Sequence, residues 1–201
     1  KNITIAFDEW NTFVEAVHPN YIENYNIADA LYAASLLNAC INRGEMITNT
    51  GIYHLINAMG NYRIEGQKVW KTPTTLILEL FTKFHKGRIL KTSVQSPTFS
   101  SPKIGKQPAY KKNKLIDASA SYDQNQVCLS IVNKSEKESL TISIPTHKKI
   151  IESYLVNGNS PTDMNDKKNL EKVTIKKNKL KSGKDYIKVP PHSFSLLLME
   201  V

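Results

Sequence analysis

Residues 3–11 read Ile3-Thr4-Ile5-Ala6-Phe7-Asp8-Glu9-Trp10-Asn11, a short and nearly all-apolar run that stops at two carboxylates, an indole and an amide. Such a run has the pattern of a strand buried on both faces, as in a parallel sheet covered by helices. At the carboxyl end of a barrel strand, Glu9 would occupy the place where α/β barrels keep their catalytic groups. The chain opens at Lys1 rather than at a methionine, so the expectation is the C-terminal part of a larger enzyme.

Downstream, strand and helix alternate. A polar loop, Glu15 to Tyr25, leads to a helix from about Ile27 to Arg43, whose apolar positions Ile27, Leu31, Ala34, Leu37 and Ile41 form one stripe. Asn26 can cap it, Asp29 complements the positive end of its dipole, and Gly44 can supply a left-handed stop. Met46 to Thr50 reads as a second strand and Ile52 to Met59 as a brief helical segment. Thr72-Pro73 announces a further helix ending at Gly87, with Leu76, Leu80, Phe81 and Phe84 on one face. This order matches the last two βα units of a (β/α)8 TIM barrel.

Beyond Gly87 the apolar period falls to two. Strands are expected at Arg88–Ser96, Ile116–Tyr122, Gln126–Asn133, Ser139–Pro145, Ile150–Val156, Glu171–Lys177, Tyr186–Val189 and Phe194–Val201, with Phe194, Leu196 and Leu198 alternating into a sandwich core. Turns fall at Asp123-Gln124-Asn125, Asn157-Gly158-Asn159 and Ser182-Gly183-Lys184, and Ser96 to Asn113 reads as a long surface loop. The fold class is thus α/β plus all-β, with 1–88 as barrel and 89–201 as antiparallel β-sandwich.

Composition narrows the function classes. No apolar run reaches the roughly 20 residues of a bilayer span. The net charge of +9 comes from 27 Lys and Arg against 18 Asp and Glu, concentrated in Lys103–Lys114 and Lys167–Lys188. With few aromatics among them, these lysines read as a solvated surface rather than a nucleic-acid face. Cys40 and Cys128 lie far from metal-ligand spacing and read as small buried hydrophobes. Trp70, His18, His85, His147 and His192 have no partners at ligand spacing and read as structural or exposed. No phosphate-cradling glycine loop or Ser-His-Asp set is present, and neither metal nor cofactor is expected.

A glutamate at a strand end suits sugar chemistry, where a carboxylate stabilises charge at the anomeric carbon and can bond to it. Retention then needs a second carboxyl about 5 Å away. Asp8 is a poor partner because adjacent strand residues face opposite ways, so the acid/base is expected upstream. Trp10 can line a pocket or plug the core. Asn11 can orient Glu9 or turn the chain, and Asn57 can reach the site or cap a local turn.

The longer pattern is more specific. Ile5-Ala6-Phe7-Asp8-Glu9-Trp10-Asn11, Ala28-Asp29-Ala30-Leu31-Tyr32-Ala33-Ala34, His54-Leu55-Ile56-Asn57-Ala58 and Val189-Pro190-Pro191-His192-Ser193-Phe194-Ser195 follow in order, and together they resemble the C-terminal region of the family 51 α-L-arabinofuranosidases. The resemblance implies a retaining hydrolase of terminal α-L-arabinofuranosyl groups on arabinan or arabinoxylan, built as a (β/α)8 barrel followed by a jelly-roll-like β-sandwich. It implies Glu9 as nucleophile; the candidates against the sugar are Trp10, Phe13, His54 and Asn57, with Asp8 and Asn11 behind them. The family's Asn-Glu acid/base pair has no counterpart here. His54 stands where members often have Gln, and Phe13 where they often have Trp. The partners implied are an arabinose-containing oligo- or polysaccharide and the missing barrel units, with self-association of the full-length enzyme allowed and no nucleic acid or membrane. The competing reading is a non-catalytic carbohydrate-binding β-sandwich module, with Phe99, Tyr110, Tyr154 and Tyr186 as its aromatics. An isolated chain of this kind would also expose an unpaired sheet edge.

Overall fold

The computed structural model describes residues 3–12, 25–144, 149–178 and 186–201. β1 (Ile5–Trp10) and β2 (Ile47–Ile52) lie side by side and parallel, connected through α1 (Ile27–Ile41). Parallel neighbours need a crossover, which the helix supplies. α1 opens on a reciprocal cap in which the Asp29 N–H donates to Asn26 Oδ1 at 3.2 Å and the Asn26 N–H to Asp29 Oδ2 at 2.9 Å. It closes at Asn42 in right-handed backbone, φ −63° and ψ −8°, so the stop expected at Gly44 is not left-handed. The Arg43 and Gly44 N–H groups reach carbonyls three residues back, which tightens the last turn and uses its orphan acceptors instead.

The brief helix expected over Ile52–Met59 is not formed. β2 runs on to Ile52, and a bend follows in which His54, Asn57 and Ala58 have φ of 61°, 50° and 41°. Left-handed residues cannot continue a right-handed helix. An unforeseen hairpin comes next, β3 (Tyr62–Glu65) and β4 (Lys68–Lys71), turning at Gly66 with φ 61°. α2 (Pro73–Phe84) then starts at the Thr72-Pro73 signal, although the Thr72 hydroxyl pairs with Thr75 Oγ1 at 3.2 Å rather than with the helix backbone. Past its end Gly87 is left-handed, φ 71°, and a β-carbon there would meet the Tyr122 carbonyl.

β5 (Arg88–Leu90), β8 (Ile116–Asp123), β9 (Gln126–Asn133), β11 (Ile150–Asn157), β12 (Lys176–Asn178) and β14 (Ser193–Glu200) form one sheet in the order β12-β11-β14-β9-β8-β5, antiparallel at every join. Two further antiparallel pairs are β6 (Thr98–Ser101) with β7 (Tyr110–Lys114) and β10 (Leu140–Ser143) with β13 (Tyr186–Val189). The Asp123-Gln124-Asn125 turn is real: Gln124 and Asn125 both have positive φ, the geometry that matches strand twist in a two-residue hairpin. Three expectations are corrected. Ser96–Asn113 is a hairpin rather than a loop, because Ile104 and Gln107 exchange backbone hydrogen bonds around Gly105 at φ 56°. The strands expected at Arg88–Ser96 and Glu171–Lys177 shrink to Arg88–Leu90 and Lys176–Asn178. In the latter, Asn165 occupies both the N–H and the carbonyl of Val173 and so removes them from any ladder. Pro145, His147 and the Ser182-Gly183-Lys184 turn lie outside the described residues.

The sheet is covered on both faces. On one, Cys128, Val132, Tyr154, Val156, Phe194, Leu196 and Leu198 share a core with α1, α2 and Trp10. On the other, Ile116, Ala118, Val127, Ile131, Leu197 and Met199 meet Ile187 and Val189 of β13. Phe194, Leu196 and Leu198 therefore face the helices, and Leu197 and Met199 fill the sandwich side. A central strand apolar on both faces carries no mark of which face is which. A buried polar set fixes α1 on the sheet: Asn38 Oδ1 accepts from Ser119 Oγ at 2.8 Å and from Ser130 Oγ at 2.5 Å, while Asn42 Nδ2 donates to the Ala118 carbonyl at 2.9 Å.

The opening strand departs from its pattern. Ile5 and Phe7 are 46% and 37% exposed, and β1 has one partner strand, β2, among the described residues. The side chains are apolar like those of a covered strand, yet among the described residues they are covered only in part.

Candidate active site

β1 and β2 run in the same direction, so their carboxyl ends open onto one side. Trp10 pairs with Ile52, and the Tyr53 N–H donates to the Trp10 carbonyl at 2.8 Å, which sets residues 9–11 beside residues 52–54. Glu9 and Asp8 are exposed, and neither makes a hydrogen bond or ion pair among the described residues. The β1–β2 register slips between Phe7 and Trp10, so the carboxylates sit at an irregular stretch of the ladder, where a bulge can re-aim a side chain. Behind them Gly51 leaves room for close approach: a β-carbon there would stand 3.1 Å from the Asp8 carbonyl oxygen.

Trp10 is 5% exposed, and its indole N–H donates to Thr50 Oγ1 at 2.7 Å, so its polar atom is used inside the fold. Asn11 makes no bond to Glu9. Its amide goes to the carbonyls of Tyr53 at 3.0 Å and Met59 at 2.8 Å, and its Oδ1 accepts from the Thr12 N–H at 2.8 Å. His54 is exposed, its ring edge-on to Tyr53 at 3.8 Å between centroids. Asn57 is exposed too, but its Oδ1 accepts from the Ile64 N–H at 2.8 Å, so it also caps the start of the hairpin. Phe13 and His18 lie outside the described residues.

Three left-handed residues with β-carbons cost on the order of 1–3 kcal/mol each, and such strain persists only where the surroundings over-determine it. Here Asn61, 4% exposed, donates to the His54 carbonyl at 3.2 Å, and Arg63 donates to the Ala58 carbonyl at 3.0 Å. Gly60 is wedged where a β-carbon would meet the Asn57 carbonyl oxygen at 2.5 Å. Sequence reading missed Thr50, Asn61 and Arg63 as supports. The only available signal was polar residues clustered around Gly60.

The other histidines and the cysteines among the described residues are packed within the fold. His85 packs on Phe81 with ring centroids 4.9 Å apart, and burial pushes it down to about 4. Burial pushes the Cys128 thiol up to about 12, which suits an inert core residue, and Cys40 is likewise buried and free. His192 is 7% exposed, its ring nitrogens lying 2.9 Å from the Glu136 carbonyl and 3.1 Å from that of Gly158. Trp70 is buried, 8% exposed.

A parallel βα segment sharing its core with an antiparallel sheet is also found in solved glycoside hydrolases. The α-L-arabinofuranosidase of Thermotoga maritima, in its arabinose complex, superposes with a TM-score of 0.88 at 21% identity, over 98% of this chain and 43% of that one. The thermostable GH51 α-L-arabinofuranosidase of Thermotoga petrophila RKU-1 does so with a TM-score of 0.86 at 22% identity, over the same shares. The fold is therefore that of the corresponding 43% of those chains. Residues 8–193 match the family model of the α-L-arabinofuranosidase C-terminal domain, and the chain belongs to that family.

Among curated relatives, the intracellular exo-α-(1→5)-L-arabinofuranosidase of Streptomyces lividans is 27% identical over 158 residues, 72% of this chain and 23% of that protein. The probable α-L-arabinofuranosidase C of Aspergillus flavus is 26% identical over 201 residues, 96% of this chain and 39% of that protein. The chain thus spans between 23% and 39% of the length of these two relatives.

Proposed function

We propose that this chain is the nucleophile-bearing end of a retaining α-L-arabinofuranosidase, acting on terminal α-L-arabinofuranosyl groups of arabinan or arabinoxylan. In this reading β1-α1-β2, with α2, forms the last two βα units of a (β/α)8 barrel, with residues 1–88 as barrel and 89–201 as β-sandwich. The observation that carries it is Glu9: an exposed carboxylate without a partner among the described residues, at the carboxyl end of a parallel strand and beside a bend held in strained backbone. A carboxylate without an ion pair is free to attack an anomeric carbon.

The rest of the barrel covers Ile5 and Phe7, pairs the free edge of β1, and brings the acid/base. His54 and Asn57 hold the sugar from the β2 side, and Phe13 offers it an aromatic face. Trp10 anchors the strand end from within, while Asp8 and Asn11 support it. No metal or organic cofactor takes part. Without the acid/base, the 201 residues alone do not turn over. In the full-length enzyme, Glu9→Ala lowers turnover of an aryl α-L-arabinofuranoside by orders of magnitude, and azide restores part of it by replacing the lost nucleophile. Near-normal activity of that variant would remove Glu9 from the role.

A further inference from the structure

Asn11 stands two residues beyond Glu9, yet its side chain works on the neighbouring element. Both amide hydrogens cross to the bend after β2, to the Tyr53 carbonyl at 3.0 Å and the Met59 carbonyl at 2.8 Å. These two carbonyls bracket the stretch that carries His54, Asn57 and Ala58 in left-handed backbone. The other side-chain supports of the bend lie in it or just after it. Asn61 holds the His54 carbonyl, Arg63 holds that of Ala58, and Asn57 itself takes the Ile64 N–H. Those bonds give the bend its shape. Asn11 gives it a place, because it ties the bend to the strand that carries Glu9.

We infer that Asn11 is a positioning residue for arabinofuranoside binding, fixing the 53–60 bend, and His54 with it, at a set separation from the Glu9 carboxylate. The inference rests on the proposed role of Glu9. A sugar gripped between a carboxylate on one strand and a loop on the next is aligned only as well as the two are held together. An asparagine suits this task because one planar amide donates two hydrogens to two carbonyls while its oxygen stays free to accept from Thr12. Because Asn11 touches backbone and leaves the carboxylate alone, its loss weakens grip and alignment and leaves the nucleophile in place.

The test is a double-mutant cycle in the full-length enzyme with Asn11→Ala, His54→Ala, the pair together and Glu9→Ala, assayed on an aryl α-L-arabinofuranoside. Asn11→Ala should raise KM by about tenfold, with a smaller change in kcat, while a mechanism-based inactivator still labels Glu9. The double variant should be no worse than the poorer single one, since both act through the same grip. Asn11→Asp keeps the shape but sets a carboxylate against two carbonyls, and should shift KM in the same direction. Losses that multiply in the double variant, or an unchanged KM in both Asn11 variants, would overturn the inference. So would failure of both variants to fold, which would make Asn11 a folding residue. Glu9→Ala separates the two levels: if it is inactive while the cycle is multiplicative, only the Asn11 inference falls, and if it retains turnover, both fall.

Discussion

The cleanest acid sensitivity in this chain should come from His85. Its Nδ1 lies 3.1 Å from Ser121 Oγ, its ring stacks on Phe81 with 22° between planes, and its Nε2 is buried with no partner among the described residues. Adding a proton would place a charge and an unmatched donor where water does not reach, and burial holds the group down to about 4 from an ordinary 6.5. As pH falls, the unfolded chain therefore takes the proton first. Stability is complete above about 6.5 and drains away as pH drops towards about 4. The gap is worth about 3 kcal/mol in full, of which about 2 kcal/mol is lost between pH 8 and pH 5.

His85→Phe keeps the stack on Phe81 and removes the titration. It also strands the Ser121 hydroxyl, a roughly constant penalty of about 1 kcal/mol that does not vary with pH. Urea unfolding from pH 8 to pH 5, followed by the fluorescence of Trp10 and Trp70, should give a wild-type free energy that falls by about 2 kcal/mol more than that of the variant. Parallel slopes in the two proteins would mean that the ring charges freely in the folded state, and that its burial between α2 and β8 does not govern its protonation.

Other substitutions probe the packing beneath the site. Phe194 is fully buried against Phe81, with ring centroids 5.4 Å apart, at the junction of sheet and helices. Phe194→Ala should cost about 3–5 kcal/mol, read from the urea midpoint. Asn38→Ala leaves the Ser119 and Ser130 hydroxyls without their shared acceptor and should cost about 1–3 kcal/mol by the same measurement. If Asn38→Ala instead unfolds at the wild-type midpoint, the polar set between α1 and the sheet does not hold them together.

The competing picture of a free-standing sugar-binding module fits poorly with the packing. α1 and α2 do not sit beside the sheet as a separate lobe. They supply one wall of its core, and Asn38 and Asn42 are bonded into it.

Local signals in the chain were sufficient for much of this. The apolar run ending at Asp8-Glu9, the Asn26/Asp29 box, Thr72-Pro73 and Gln124-Asn125 each name a strand end, a helix start or a turn, because caps and turns are decided within a few residues. The motifs around Glu9 and His54 also pointed to the right family. Tertiary structure alone decided what those residues touch. It turned Phe194, Leu196 and Leu198 to the helices, sent the Asn11 amide to Tyr53 and Met59 instead of Glu9, and bent residues 53–60 into left-handed backbone where periodicity suggested a helix. A side chain's partners come from segments far along the chain, and a two-residue period does not say which face will meet which neighbour.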